Sequence, residues 1–386
     1  LKKQIAILGS TGSIGRQTLE VIDWHRDMFS VEILTANSQA DLLIQQAQQY
    51  RPNAVVIGDD RWYETVFEAL DPFDIKVYAG QKAISQVLEM EGIDLVVMAI
   101  VGIAGLEPTI AAVEQGVDLA LANKESLVVA GEYIQKIIKG KTNRIIPIDS
   151  EHSAIFQCLM GEGNNPIEKI VLTCSGGPFR NHSLSDLEQV TPEEALKHPV
   201  WNMGAKVSID SASLMNKGLE AIEASWLFGL PASQIEVVVH PQGVIHSLVY
   251  FTDGSVKTLL GNPDMRLPIQ FALSYPERLP NETERVDLPK LASLDFERPN
   301  VDIFRNLALA FEALEKGGNM PCILNAANEI AAGEFLKGNV KFLEIPGVVD
   351  NCMKHETFIK HPDLEALIET DSRTRLRAQA LIKQMI

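Results

Sequence analysis

The feature that most narrows the possible folds is a rhythm. Through residues 1–148, short β-rich runs alternate with helical patterns: "QIAILG", "VEILTA", "AVVIG", "LVVMAIVG", "DLALAN" and "RIIPID" read as six successive strands. Strands separated by helices pair in parallel, because each crossover returns the chain to the end of the sheet from which the previous strand started. The first strand runs into "GSTGSIG" and then a helical stretch. Gly9, Gly12 and Gly15 let the backbone approach a pyrophosphate, and the following helix start offers unpaired N–H groups. A tight turn needs the same glycines, so position carries the argument: strand before, helix after, as in a Rossmann-like sheet.

Residues 149–274 mix strands ("KIVLTCSGG", "IEVVVHPQGVIHSLVYF") with a helix near 213–228, the pattern of an α+β catalytic domain. Residues 275–300 hold four prolines and many charges without periodicity and read as a linker. Helical runs near 303–316, 321–337, 342–354 and 363–385 indicate a C-terminal helical bundle. The fold class expected is α/β.

The net charge of −17 argues against nonspecific attraction to nucleic acid or an anionic membrane, so any anion site must be local. The apolar stretch 93–106 is broken by Asp94, Gly102 and Gly105 and falls short of the roughly 18 residues that span a bilayer. Cys158, Cys174, Cys322 and Cys352 are scattered without a CxxC pair, which suits a reducing cytoplasm better than a disulfide framework or a zinc site.

"RIIPIDSEHSAIF" is an apolar strand that ends in acids. Asp149 and Glu151 lie two residues apart, and in extended backbone they project to one side and can converge on one ion; a solvated loop is the plainer alternative. In "SIDSASLMNKGLEAIEASWLF", Met215, Leu219, Ile222 and Trp226 form a buried helical stripe. Asn216, Glu220 and Glu223 lie along an adjacent face, next to Lys217; a solvent-exposed helix laced by Lys217 and Glu220 would look similar. Carboxylates without a His or Cys cluster suit Mg2+ or Mn2+. Ser175, Ser211, Asn216 and Lys217, beside "SGG" and "NKG" turns, offer the donors that a phosphate needs.

"GSTGSIG", "LANKES", "DSEH", "SGGPFR", "HPVWNMG", "DSASLMNKGLE", "HPQGVIHS" and "GNPDMR", in this order and with "LNAANE" in the helical tail, resemble the 1-deoxy-D-xylulose 5-phosphate reductoisomerase family along the whole chain. The resemblance implies rearrangement and NADPH reduction of that substrate to 2-C-methyl-D-erythritol 4-phosphate in the non-mevalonate isoprenoid pathway, with a divalent metal and a homodimer formed through strands of the middle domain. It makes Asp149, Glu151 and Glu220 metal ligands and catalytic together with Lys124. Lys124, Ser150, Glu151, Ser175, His198, Ser211, Asn216, Lys217 and Glu220 become substrate contacts. Thr11, Gly12, Ser13, Ile14, Asn123, Glu125 and Gly204 become NADPH contacts, and Trp201 belongs to a loop that closes over the substrate. His198 serves a phosphate as a neutral or charged donor, whereas His152 is expected behind the site and His240 and His246 on strands or an interface. In one respect the chain departs from the family: after the second strand many members carry Gly, Lys or Arg, and Asn, where this chain has Asn37, Ser38 and Gln39.

Two rival readings stand beside this one. A semialdehyde dehydrogenase would use Cys174 as nucleophile, and a non-enzymatic dinucleotide sensor would have no use for the acids at 149, 151 and 220.

Overall fold

The computed structural model describes residues 2–201 and 203–385; Leu1, Asn202 and Ile386 lie outside the described residues. The chain forms two compact units, the first of residues 1–126, 134–153 and 264–284, the second of 127–133, 154–263 and 285–386.

The first unit is built on strands β1 (Lys3–Leu8), β2 (Phe29–Ala36), β3 (Ala54–Ile57), β4 (Lys76–Ala79), β5 (Leu95–Met98), β6 (Asp118–Leu121) and β7 (Ile145–Pro147), in the order β4-β3-β2-β1-β5-β6-β7. Every neighbouring pair is parallel, as the alternation requires. β3 and β5 are fully buried apolar runs and β1 is buried from Ile5 to Leu8, the pattern of a parallel sheet covered on both faces. The seventh strand, β4, is absent from the six read in the sequence. It is a four-residue edge strand whose side chains alternate between exposed and half-buried, so no apolar run marks it.

The strand order reverses at β1 and β5, the switch point where doubly wound sheets bind ligands. Gly9 closes β1 there with φ +88°, and a Cβ on it would lie 2.9 Å from the Ala99 carbonyl just past β5. The helix Arg266–Ser274 joins this unit rather than the second sheet that precedes it. Gln270 Oε1 lies 3.2 Å from His25 Nε2, and Lys3 Nζ donates to the Leu273 carbonyl at 2.9 Å. The charged stretch 275–300 is therefore divided, with 275–284 in the first unit and 285–300 in the second.

The second unit contains strands β8 (Ile167–Cys174), β9 (Ile235–Val239), β10 (Ile245–Phe251) and β11 (Val256–Leu260), ordered β11-β10-β8-β9. β10 is antiparallel to both β11 and β8, and β8 is parallel to β9. The expected C-terminal helices appear as Arg305–Lys316, Met320–Leu336, Ile345–His355 and Leu364–Met385. They share one core with the middle of the chain, where Met215, Leu219 and Ile222 pack among Leu307, Ile323 and Phe335. Each of those fully buried side chains contributes about 1.5–3 kcal/mol. Among the described residues no helix is long and apolar enough to cross a membrane.

Candidate active site

In the first unit the glycine turn leads directly into the helix Ser13–Trp24. Gly12 stands at its N-cap in extended backbone without a side-chain cap, so no cap side chain occupies the first-turn amides. Gly15 cannot be replaced cheaply: a Cβ there would fall 2.4 Å from the Gly9 carbonyl oxygen. Thr11 is buried, while Ser13 is exposed and Ile14 half-buried at the helix start. This bare helix end suits a pyrophosphate.

β6 leads into the helix Lys124–Ile138, and Asn123 caps it, its Oδ1 accepting from Ser126 N at 2.9 Å. The Asn123 Nδ2 donates to the Ile100 carbonyl at 2.7 Å and the Gly102 carbonyl at 2.9 Å, bracing the loop after β5 against this helix start. Glu125 is buried beside it, 3.2 Å from Asn123 Nδ2. Lys124, the first helical residue, pairs with Asp149 at 2.8 Å, both side chains largely buried.

The expectation that Asp149 and Glu151 share one side of an extended strand is corrected. β7 stops at Pro147 and a helix begins at Ser150, so Asp149 precedes that helix and Glu151 lies in its first turn. The Asp149 carbonyl accepts from Ser153 N at 2.8 Å and its Oδ1 from Ser150 N at 3.1 Å. Ser150 Oγ donates to Glu151 Oε2 at 2.6 Å. His152 is fully buried with its Nδ1 3.8 Å from Asp149 Oδ2.

In the second unit the helix Met215–Phe228 carries the other acid. A solvent-exposed helix is not what forms: Lys217, Glu220 and Glu223 are 3%, 1% and 1% exposed. Lys217 Nζ meets Glu220 Oε2 at 2.5 Å, and Asn216 Nδ2 donates to Glu220 Oε1 at 2.6 Å. "NKG" is not a turn but lies within this helix. Gly218 lets the helix press on Arg305–Lys316, since a Cβ there would fall 2.4 Å from the Ala310 Cβ. "SGG" is irregular backbone between β8 and a turn at 178–181, with Gly176 at φ +84° and Gly177 at φ +69°. Gly177 brings it against the Ala205–Ala212 helix that carries Ser211, where a Cβ would lie 2.9 Å from the Ser211 carbonyl oxygen. Gly204 is the exposed N-cap of that same helix.

His198 links two of the expected residues. Its Nδ1 accepts from Val200 N at 3.2 Å and Trp201 N at 2.8 Å, so a neutral ring carries its proton on Nε2 and donates it to Ser175 Oγ at 3.0 Å. Ser175 Oγ also accepts from Gly177 N at 3.2 Å, which turns the hydroxyl hydrogen outward as a donor. Burial, and then the Lys217 charge, pull the His198 pKa down to about 4 from 6.5. Of the two forms considered, the neutral one is therefore supported. The unfolded chain binds this proton more readily, so stability rises with pH between these values. The stability advantage of the native chain over His198→Asn is expected in full above pH 6.5 and should shrink as pH falls towards 4. Thermal denaturation near neutral pH and near pH 5 measures it; an advantage that grows on acidification would mean a charged imidazole.

The Trp201 ring lies 6.3 Å from that of His246. His240 is fully buried on the turn after β9, its Nδ1 2.9 Å from the Asp295 carbonyl and its ring stacked on Phe296. Cys174 ends β8 with its Sγ donating to the Val238 carbonyl at 3.6 Å, packed against the apolar core.

Among the features missed in the sequence are the bracing by Asn123 and the close approaches of Gly177 and Gly218. Both glycines stood inside motifs, but their need arises from contacts with residues 34 and 92 positions further along the chain, Ser211 and Ala310.

Three family models match the chain: 1-deoxy-D-xylulose 5-phosphate reductoisomerase over residues 5–131, its C-terminal domain over 145–228, and a DXP reductoisomerase C-terminal domain over 260–377. The chain is 54% identical to the 1-deoxy-D-xylulose 5-phosphate reductoisomerase of Phocaeicola vulgatus over 99% of its own length and 100% of that protein. It is also 54% identical to that of Porphyromonas gingivalis over 99% of both. A structure of the Zymomonas mobilis reductoisomerase in complex with NADPH superposes with a TM-score of 0.93 at 42% identity, covering 99% of each chain. A crystal structure of DOX-P reductoisomerase in complex with NADPH, fosmidomycin and magnesium gives 0.94 at 39% identity, again over 99% of each. The chain belongs to the 1-deoxy-D-xylulose 5-phosphate reductoisomerase family.

Proposed function

We propose that this chain is a metal-dependent reductoisomerase that converts 1-deoxy-D-xylulose 5-phosphate and NADPH to 2-C-methyl-D-erythritol 4-phosphate and NADP+. The observation that carries the reading is the match to the family along the full chain. The residues present fit both implied groups. The glycine turn and bare helix end of the first unit suit a dinucleotide pyrophosphate, and we assign NADPH to Thr11, Gly12, Ser13, Ile14, Asn123, Glu125 and Gly204. Asp149, Glu151 and Glu220 are an all-oxygen donor set of the kind that hard divalent cations prefer, and we assign Mg2+ or Mn2+ to them.

The cation supplies Lewis acidity towards the substrate's oxygens, and NADPH supplies the hydride. The chain's own groups do the positioning. Lys217, Asn216, Ser211 and the outward hydroxyl of Ser175 take the phosphate, and binding energy gained there orients the distant carbons. Lys124, already an ammonium against Asp149, donates to the reacting oxygens, with Ser150 as its neutral companion. His198 holds Ser175 and the Trp201 backbone together, and closure of the Trp201 loop excludes water from the charged intermediate.

We further assign a homodimer built through the second sheet, whose edge strand β11 leaves Val256 and Leu260 exposed at 43% and 39%. The four free cysteines suit a reducing cytoplasm.

The test follows NADPH oxidation with 1-deoxy-D-xylulose 5-phosphate, with chelator and with Mg2+ or Mn2+ restored. Oxidation that stops with chelator and returns with metal supports the reading. Oxidation indifferent to chelator, or none under any condition, overturns it.

A further inference from the structure

In a doubly wound sheet the end of the second strand reads the adenosine ribose: an acid there accepts from a free 2′-hydroxyl, and a nearby cation pairs with a 2′-phosphate. Here β2 ends at Ala36 and continues as Asn37-Ser38-Gln39, which carries neither charge. The adjacent end of β3 is bonded to it. Gly58 N donates to the Ala36 carbonyl at 2.8 Å, and Asp59 N donates to the Asn37 carbonyl at 2.9 Å. Gln81 Nε2 donates both to Asn37 Oδ1 at 2.8 Å and to the Gly58 carbonyl at 3.2 Å. This bracket exists because residue 58 is glycine; a Cβ there would lie 2.7 Å from Gln81 Nε2 and 2.8 Å from Asn37 Oδ1.

The bracket also fixes which way the Asn37 amide faces. Its oxygen is taken by Gln81, so the group it can offer a ligand is the donor –NH2. A donor suits phosphate oxygens, whereas a 2′-hydroxyl is read best by an acceptor. Two residues beyond Asp59, Arg61 places a guanidinium at this same strand end. Its side chain is 85% exposed and forks onto Asp59 at 2.9 and 2.6 Å. The fork uses Nε and Nη2, so the far edge of this exposed guanidinium still carries N–H donors, and such an edge matches a phosphate's geometry with two parallel bonds. The carboxylates of Asp59 and Asp60 oppose an anion here, so an arginine at this position is the group that makes a phosphate acceptable.

We infer that Arg61, on the end of the third strand, is the cation that selects NADPH through its 2′-phosphate, with the Asn37 amide, clamped by Gln81, as its neutral partner. The inference rests on the NADPH-dependent function proposed above. Dissociation constants for NADPH and NADH, measured by nucleotide fluorescence on the full chain without substrate, test it. Arg61→Ala is expected to weaken NADPH about tenfold and leave NADH within about twofold. Asn37→Asp is expected to weaken NADPH and tighten NADH. In competition, 2′,5′-ADP should lose affinity for Arg61→Ala while 5′-AMP does not. Equal loss for both nucleotides, or no change in either, overturns the role of Arg61; so does a preference that moves only with Asn37→Asp. A native chain that binds neither nucleotide overturns the proposed function instead.

Discussion

Asp149→Asn is expected to lower turnover by about a thousandfold, roughly 4 kcal/mol of lost transition-state stabilisation, while NADPH affinity stays within about twofold. The substitution keeps the shape and removes the charge. An asparagine Oδ1 can still accept from Ser150 N, the bond that Asp149 makes at 3.1 Å, so the Ser150–Leu159 helix keeps its start. What is lost is a charged oxygen of the proposed metal site and the partner that Lys124 meets at 2.8 Å. Steady-state turnover with Mg2+, paired with nucleotide binding, measures both effects. Native turnover in metal-free buffer would remove Asp149 from the metal site; a loss of NADPH affinity as large as the loss of turnover would point to damage in the whole first unit.

Lys217→Ala carries two consequences, because the lysine is both a proposed phosphate ligand and the counter-ion of a buried acid. A charge-assisted bond to phosphate is worth about 1.5–3 kcal/mol, so substrate affinity is expected to fall by about 10- to 100-fold. The Lys217 and Glu220 side chains are only 4% and 1% exposed, and removing one partner of such a pair costs about 3 kcal/mol or more, since the remaining charge is poorly solvated. Asn216 still donates to Glu220 Oε1 and limits the damage. The variant should therefore melt several degrees below the native chain and regain part of the difference with Mg2+ or Mn2+, which would neutralise Glu220 in place of the ammonium. Equal melting temperatures would show the pair to be dispensable, and an unchanged Michaelis constant and turnover would take Lys217 out of the site.

The parallel sheet was legible because its strands are buried on both faces, and "AVVI" or "LVVM" can be little else between helical patterns. β4 was not, because an edge strand of four residues with half its side chains in solvent lacks that mark. Asp149, Glu151 and Glu220 stand out in the sequence as acids of a proposed metal site, but their conformation does not. The turn from strand to helix at Ser150 replaces the extended spacing by a helix start, and an acid just before an apolar helical run was the available signal. The burial of Lys217 and Glu220 could not be read locally, for it depends on Gly218 packing against Ala310 on a helix some 90 residues later. Nor could the sequence say which core Arg266–Ser274 would join. The contacts of Gln270 and Leu273 with His25 and Lys3 decide it, 245 and 270 positions away.

In the proposed metal site Asp149, Glu151 and Glu220 serve a single divalent cation. Mn2+ binding to the native chain, Asp149→Asn and Glu220→Gln, followed by calorimetry without substrate or nucleotide, tests it most directly. One Mn2+ per chain in the native protein, weakened at least about tenfold by either substitution alone, is the predicted result. Native-like binding in either variant, or a second equivalent ion per chain, would contradict the claim that these acids share one metal.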